Sequence, residues 1–106
     1  MSEERIQKLK DYLAKEQKDS FLQHALALEY IKMGNEEEAR KLFIEIVLRE
    51  PTYVGTYYHL AKLYERIGEN EKAIKIYEKG MEMAKVTGDT HSFNELRAAH
   101  EELVFD

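Results

Sequence analysis

Residues 57–80 read YYHLAKLYERIGENEKAIKIYEKG, and most of this pattern occurs once before in the chain, at residues 24–46, as HALALEYIKMGNEEEARKLFIEI. The two stretches align at a constant offset of 34 residues. The matched pairs are Leu26 and Leu60, Ala27 and Ala61, Tyr30 and Tyr64, Gly34 and Gly68, Ala39 and Ala73, and Phe43 and Tyr77. This set of matches at one offset indicates that the chain is built from an internal repeat of that length.

Each copy of the repeat has the pattern of two helices joined by a turn. In the first copy a broad apolar stripe ends at Gly34, which can adopt the left-handed conformation that stops a helix. Asn35 is then predicted to cap the next helix, with Glu38 completing a capping box. The apolar positions of the second helix recur at helical spacing: Ala39, Leu42, Phe43, Ile46 and Val47. The repeat unit is therefore predicted to be a helical hairpin.

This repeat resembles the tetratricopeptide repeat, which has the same period and a defined pattern of large, small and aromatic residues. Two positions depart from that pattern. Gln23 occupies a position that usually holds a large apolar residue, and Lys85 stands where a Pro would fall. The residues that match the pattern are Leu26, Ala27, Tyr30, Ala39, Phe43 and Pro51 in the first copy, and Tyr57, Leu60, Ala61, Tyr64, Ala73 and Tyr77 in the second.

The predicted fold class is all-α, a solenoid of antiparallel helical hairpins like that of tetratricopeptide proteins, forming one domain over residues 1–106. Leu9 and Leu13 lie one period before Phe43 and Val47, which predicts an N-terminal capping helix at residues 3–17. The two full repeats are predicted at residues 20–53 and 54–87, and a C-terminal capping helix at 90–104. The six predicted helices span residues 3–17, 20–33, 36–49, 53–67, 70–86 and 90–104.

Composition limits the classes of function. Hydrophobic residues make up 43% of the chain and charged residues 35%, with no Cys, which is typical of a soluble helical protein without disulfides. The formal net charge of −5 repels a phosphate backbone and argues against nucleic-acid binding. No apolar run is long enough for a membrane span or a signal peptide, so we expect a cytoplasmic protein.

The sequence carries no pattern of catalytic or metal-ligating residues. The four His include no pair at the HExxH spacing, and the five Gly form no phosphate-binding loop. The acidic run Glu36–Glu38 falls in a predicted first helical turn, where the helix dipole favours negative charge. We therefore expect no enzyme activity and no cofactor.

The resemblance implies a protein-protein interaction scaffold that holds a peptide or helix of a partner in a concave groove lined by the first helix of each hairpin. By the same resemblance, Lys62 and Arg66, one helical turn apart, are candidates to bind a partner carboxylate. Alternatively, these two cations pair with Glu65 or other nearby carboxylates on a solvated helix face. The groove residues implied are Phe21, His24, Leu28 and Ile31 in the first repeat, and Tyr58, Lys62, Glu65 and Arg66 in the second.

Self-association is the alternative function. Leu103, Val104 and Phe105 stand together where the last predicted helix ends. Small helical arrays gain stability by pairing through such terminal faces, which would produce a homodimer. Equally, Phe105 could fold back on its own hairpin, and the sequence leaves both arrangements open.

Overall fold

The computed structural model describes residues 2–16 and 18–105. Its described residues form helices joined by short turns, without strands. The helices are α1 (Ser2–Lys15), α2 (Ser20–Lys32), α3 (Glu36–Arg49), α4 (Gly55–Arg66), α5 (Asn70–Thr87) and α6 (Thr90–Phe105). The predicted all-α fold of six helices is confirmed, and the helix bounds agree with prediction to within about two residues. The predicted end of the first helix at Gln17 lies outside the described residues, and α1 ends at Lys15.

The chain divides into two compact units, the first ending at Glu50 and the second beginning at Pro51. The assignment of the whole chain to one domain stays a prediction. In the first unit, α2 packs against both α1 and α3. Its core is formed by small and large apolar side chains that alternate along the facing helices: Leu9, Leu26, Ala27, Ala39, Phe43 and Ile46.

The second unit contains α4, α5 and α6, and each of these helices contacts the other two. Ala61 and Ala73 are fully buried, and their small side chains leave room for the large Tyr57 and Tyr77. Gly80 has the same role on α5, because a Cβ atom there would lie 2.7 Å from Cβ of Tyr57. The remaining apolar core of this unit comprises Val54, Leu60, Leu63, Met83, Ala84, Leu96 and Ala99.

Three helices of the repeat array end in the same way. Gly34, Gly68 and Gly88 have φ values of 80°, 78° and 73°, so each adopts the left-handed conformation predicted for Gly34. At each turn the residue after the glycine donates its N–H to a carbonyl five residues back, as in Asn35 to Tyr30 at 2.8 Å. These bonds satisfy carbonyl groups that the helix end leaves free.

The helix starts differ in how they are capped. Asp19 has an extended backbone (ψ 107°), and its carboxylate accepts the N–H of Leu22 at the start of α2. Asp89 accepts the N–H of Ser92 at the start of α6. Asn35 occupies the predicted N-cap position of α3, but its side chain makes no capping hydrogen bond. Its ψ of 67° falls short of the extended conformation that a capping side chain needs.

Candidate functional site

Four of the predicted groove residues lie along α2 in the first unit, and we call them the α2 surface: Phe21, His24, Leu28 and Ile31. Phe21 is 70% exposed, so most of its apolar ring faces water. The His24 ring lies against that of Phe43 on α3, with the two ring centroids 5.3 Å apart. Leu28 and Ile31 are half-buried. The α2 surface is thus a mainly apolar strip with one protruding ring.

The other four lie along α4 in the second unit, and we call them the α4 surface: Tyr58, Lys62, Glu65 and Arg66. Tyr58 is half-buried, with its ring centroid 6.5 Å from that of Tyr77 on α5. Lys62 Nζ lies 5.5 Å from the centroid of the Tyr58 ring and 3.5 Å from Oε2 of Glu65. The ammonium group is therefore held between an aromatic face and a carboxylate.

The carboxylate of Glu65 is also held by a side chain of α5. The hydroxyl of Tyr77 donates a hydrogen bond to Oε2 of Glu65, the same oxygen that pairs with Lys62. Burial is the main cause that raises the pKa of Tyr77, and the hydrogen bond to Glu65 raises it further. The phenol therefore keeps its proton at neutral pH and remains a donor. Glu65 thus receives a buried neutral donor from Tyr77 and a half-buried cation from Lys62. The pairing of Lys62 with Glu65 is the arrangement expected of a solvated helix face.

Arg66 ends α4 with an exposed side chain. Its positive charge also acts on His59, two turns away on the same face of the helix. Burial is the main cause that lowers the pKa of His59; Glu95 on α6 opposes that shift and Arg66 adds to it. His59 is therefore neutral at pH 7, and it contributes a polar but uncharged ring beside the α4 surface.

Within the described ranges, no group of three or more His, Asp or Glu side chains is arranged to hold a metal ion. None of the helices in that part of the chain is long and apolar enough to cross a bilayer. The chemistry of the α2 and α4 surfaces is that of noncovalent contact: aromatic rings, one organised ion pair and one exposed guanidinium.

Sequence reasoning missed two polar features of the first unit. The first is a network at one end of the hairpin, where Arg49 donates to both Ser20 and Gln23 at 2.7 Å. The second is Glu29, whose carboxylate is buried and pairs with Arg5 of α1 at 2.8 Å. The sequence contained a signal for the buried Glu29. The repeat offset makes Glu29 the equivalent of Leu63, so a charged residue stands at a position that is apolar in the other repeat.

The architecture and the repeat spacing agree with comparisons against known proteins. The tetratricopeptide repeat profile matches residues 22–53 and 54–87, which together form more than half of the chain. The chain belongs to the tetratricopeptide repeat family. No curated protein matches the chain. Tetratricopeptide repeats generally mediate protein-protein interaction, and the proteins that contain them are generally non-enzymatic scaffolds.

Solved structures give the same result. A crystal structure of a tetratricopeptide repeat domain protein from Salinibacter ruber is 44% identical, with a TM-score of 0.78, over 80% of this chain and 94% of that one. A solution NMR structure of a tetratricopeptide repeat domain protein from the same organism is 43% identical, with a TM-score of 0.79, over 81% and 87%. The crystal structure of MamA matches with a TM-score of 0.78 at 20% identity, over 83% of this chain and 52% of that chain, which supports the fold alone.

Proposed function

We propose that this protein binds a peptide or helix of a partner protein through the α2 and α4 surfaces. The observation that carries the proposal is membership in a repeat family that generally mediates protein-protein interaction. The exposed ring of Phe21, the ring of Tyr58 and the guanidinium of Arg66 support it, because aromatic residues and arginine are enriched at protein interfaces.

The α4 surface supports contact with a partner that has an apolar side chain next to an acidic group. The ring of Tyr58 offers an aromatic face, and the exposed guanidinium of Arg66 can bind a carboxylate through two parallel hydrogen bonds. Lys62 keeps its contact with Glu65 and still has further N–H donors, since an ammonium group carries three. Because Lys62 is already held in place, little side-chain entropy is lost when a partner binds.

A peptide-display screen tests the proposal. The wild-type chain is compared with a triple variant of the α4 surface (Tyr58→Ala, Lys62→Glu, Arg66→Glu). A matched control carries the same types of change on exposed residues of other helices: Tyr12→Ala, Lys75→Glu and Lys79→Glu. All three proteins are first checked for equal helicity by circular dichroism.

We expect the wild type and the control to enrich the same peptides, with an acidic or C-terminal motif, and the α4 variant to lose them. Enrichment of the same peptides by all three proteins would contradict the proposed site on α4. A parallel variant of the α2 surface, Phe21→Ala with Leu28→Ala, tests the other helix by the same comparison.

Self-association through the end of α6 is a second candidate function, and one observation favours it. Phe105 is 80% exposed and Val104 is 42% exposed, so neither side chain folds back into its own unit. Burying such residues in a homodimer would remove apolar surface from water. Sedimentation velocity of the wild type and of Phe105→Ser at high micromolar concentration tests this: a dimer lost in the variant supports it, and a wild-type monomer eliminates it. The cytoplasmic location stays a prediction.

A further inference from the structure

The last helix of the second unit has a packed face and an exposed face. Leu96 and Ala99 of α6 are buried in the core of the unit. On the other side, a row of side chains at four-residue spacing runs along the helix, and we call it the α6 row: Phe93, Arg97, Glu101 and Phe105. Its residues are exposed, apart from the half-buried Phe93. Residues at this spacing form a ridge on a helix, and such ridges are the parts through which two helices pack together.

The two charged residues of the α6 row do not neutralise each other. Among the residues that the structure describes, neither Arg97 nor Glu101 takes part in an ion pair. The guanidinium of Arg97 instead lies back towards Phe93, with Cζ 5.8 Å from the ring centroid. An arginine that precedes a glutamate by four residues is also the less favourable order for a pair within one helix. Both charges therefore remain available to a partner.

A pocket adjoins the first residue of the α6 row. It has a volume of about 260 Å³, and its lining residues come from the end of α5 and the start of α6: Ala84, Lys85, Gly88, Asp89, Thr90 and Phe93. The ring of Phe93 forms one wall, and Nζ of Lys85 lies 5.1 Å from the centroid of that ring. We call this space the α5–α6 pocket. An aromatic ring beside an open space is suited to receive a second ring, because aromatic pairs add to the gain from apolar burial.

The α6 row is complementary to itself when its direction is reversed. In an antiparallel pair of α6 helices with a two-fold axis at the level of residue 99, Phe93 of one copy lies opposite Phe105 of the other. Arg97 then lies opposite Glu101 of the other copy, since both pairs are centred on residue 99. A two-fold axis repeats each contact. The exposed ring of Phe105 therefore reaches a pocket at both ends, and two ion pairs form between them.

We propose that α6 packs against α6 of a second copy of this chain in an antiparallel dimer, with Phe105 of each copy in the α5–α6 pocket of the other. The proposal rests on self-association through the end of α6, and it specifies the partner surface and the direction of pairing. Charge complementarity selects the antiparallel direction, because a parallel pair would place Arg97 beside Arg97 and Glu101 beside Glu101. One pair of helices buries less area than most stable interfaces, so we expect association at micromolar concentrations.

Charge reversal tests the central contacts of the dimer. Sedimentation velocity up to high micromolar concentration is measured for the wild type, for Arg97→Glu, for Glu101→Arg and for an equal mixture of these two variants. Each variant alone brings like charges together twice in the dimer, so its dissociation constant should rise by about tenfold or more. In the mixture, a dimer of one copy of each variant joins only unlike charges, and dimers should form again.

The matched control is Glu102→Arg, which makes the same change at the next exposed residue, outside the α6 row. We expect this control to dimerise like the wild type. Circular dichroism establishes that all the proteins have equal helicity before they are compared.

Disulfide trapping tests the direction of pairing, and the wild-type chain has no Cys that would interfere. Asn94 and Val104 flank the α6 row and are exposed, and antiparallel pairing brings Asn94 of one copy beside Val104 of the other. The variants Asn94→Cys and Val104→Cys are mixed in a glutathione redox buffer, and the products are identified by mass. We expect the mixed disulfide to dominate, because the two copies of position 94 would lie about 15 Å apart along the helix, beyond the reach of a disulfide.

The results that would overturn the proposal also separate it from the function on which it rests. A wild type that remains monomeric at high micromolar concentration removes both self-association and the antiparallel pair. A wild-type dimer contradicts the antiparallel pair alone if the charge reversals do not weaken it or their mixture does not restore it. Preferential formation of the same-residue disulfides in such a dimer gives the same conclusion.

Discussion

The two repeats of this protein use the same backbone period but join their helices with opposite chemistry. In the first hairpin, α2–α3, the contact at one end is polar. Arg49 donates to Ser20 and Gln23, Ser20 donates to Glu50 at 2.7 Å, and Gln23 donates to Glu45 at 3.3 Å. Ser20 and Gln23 are both buried, so these bonds satisfy groups that water does not reach.

In the second hairpin, α4–α5, four of the five equivalent positions are apolar, and the fifth, at the position of Glu45, is the exposed Lys79. The repeat offset places Val54, Tyr57, Met83 and Ala84 at the positions of Ser20, Gln23, Arg49 and Glu50, and all four are buried. The ring of Tyr57 fills the space that the polar network occupies in the first hairpin. Its hydroxyl remains satisfied, because it donates to the carbonyl of Pro51 at 2.6 Å.

Side-chain size is also exchanged between the two hairpins. At equivalent positions, the first hairpin has the moderate Gln23 and the large Ile46, whereas the second has the large Tyr57 and Gly80. Tyr57 and Gly80 join the two helices of the second hairpin, where a large residue on α4 is matched by the smallest residue on α5. Gln23, which departs from the family pattern in sequence, is accommodated by its neighbours. The comparison shows that the repeat pattern specifies helix placement and leaves the contact chemistry open.

The largest expected effect comes from exchanging the residues at positions 29 and 63. We expect Leu63→Glu to lower the free energy of unfolding by on the order of 3–5 kcal/mol, because it buries a charge without an arranged cation. The reciprocal Glu29→Leu should be neutral or stabilising, since Arg5 and Lys32 are largely exposed and stay hydrated. Urea unfolding followed by circular dichroism measures both. Equal losses in the two variants would contradict the asymmetry.

Changing the closely packed pair of Tyr57 and Gly80 is expected to have the next largest effect. Gly80→Ile should cost about 3 kcal/mol, because its Cβ would lie 2.7 Å from Cβ of Tyr57, an atom that no rotamer change can move. The double variant Tyr57→Gly with Gly80→Ile removes the Cβ and Cγ atoms of residue 57 that the new side chain meets, so the two effects should be less than additive. Purely additive unfolding free energies would show that the two positions do not share a packing constraint.

Replacing the polar network with its apolar counterpart should have a smaller effect. We expect Arg49→Met, which places the second hairpin's residue in the first, to cost about 1–2 kcal/mol, because buried Ser20 and Gln23 lose a charged donor. The matched control is Lys41→Met, whose exposed pair with Glu38 at 3.4 Å should contribute about 0.5 kcal/mol or less. If the two variants lose equal stability, the network does not stabilise the hairpin.

The smallest expected effect is a dependence on pH that His59 gives to the second hairpin. Burial lowers the pKa of His59, so the unfolded chain binds a proton more readily than the folded chain does. The stability associated with neutral His59 is complete above the unfolded pKa of about 6.5 and is lost as pH falls through the folded pKa. His59→Ala introduces the residue of the first hairpin, because Ala25 is the repeat equivalent of His59. The wild type should lose stability faster than this variant on acidification, as unfolding at a series of pH values would show. A constant difference between the two proteins would exclude the effect.

The candidate site was predictable in part. The family resemblance implied that Tyr58, Lys62 and Glu65 share one side of α4, and the pairing of Lys62 with Glu65 was one alternative, which the structure shows. The contact of Tyr77 with Glu65 was not predicted, because it joins two helices and depends on how α4 and α5 pack. The missing capping hydrogen bond at Asn35 has a local cause, because its ψ of 67° departs from the extended backbone that capping residues usually adopt.

The sequence by itself determined the period of the repeat, the number and bounds of the helices, and the glycine turns at Gly34 and Gly68, because each depends on residues close together in the chain. Only the tertiary structure decided the contacts between helices. Arg5 neutralises Glu29 across 24 residues, and Gly80 accommodates Tyr57 across 23. Such contacts depend on which side chains the packed helices bring together, and the local pattern that forms a helix does not encode them.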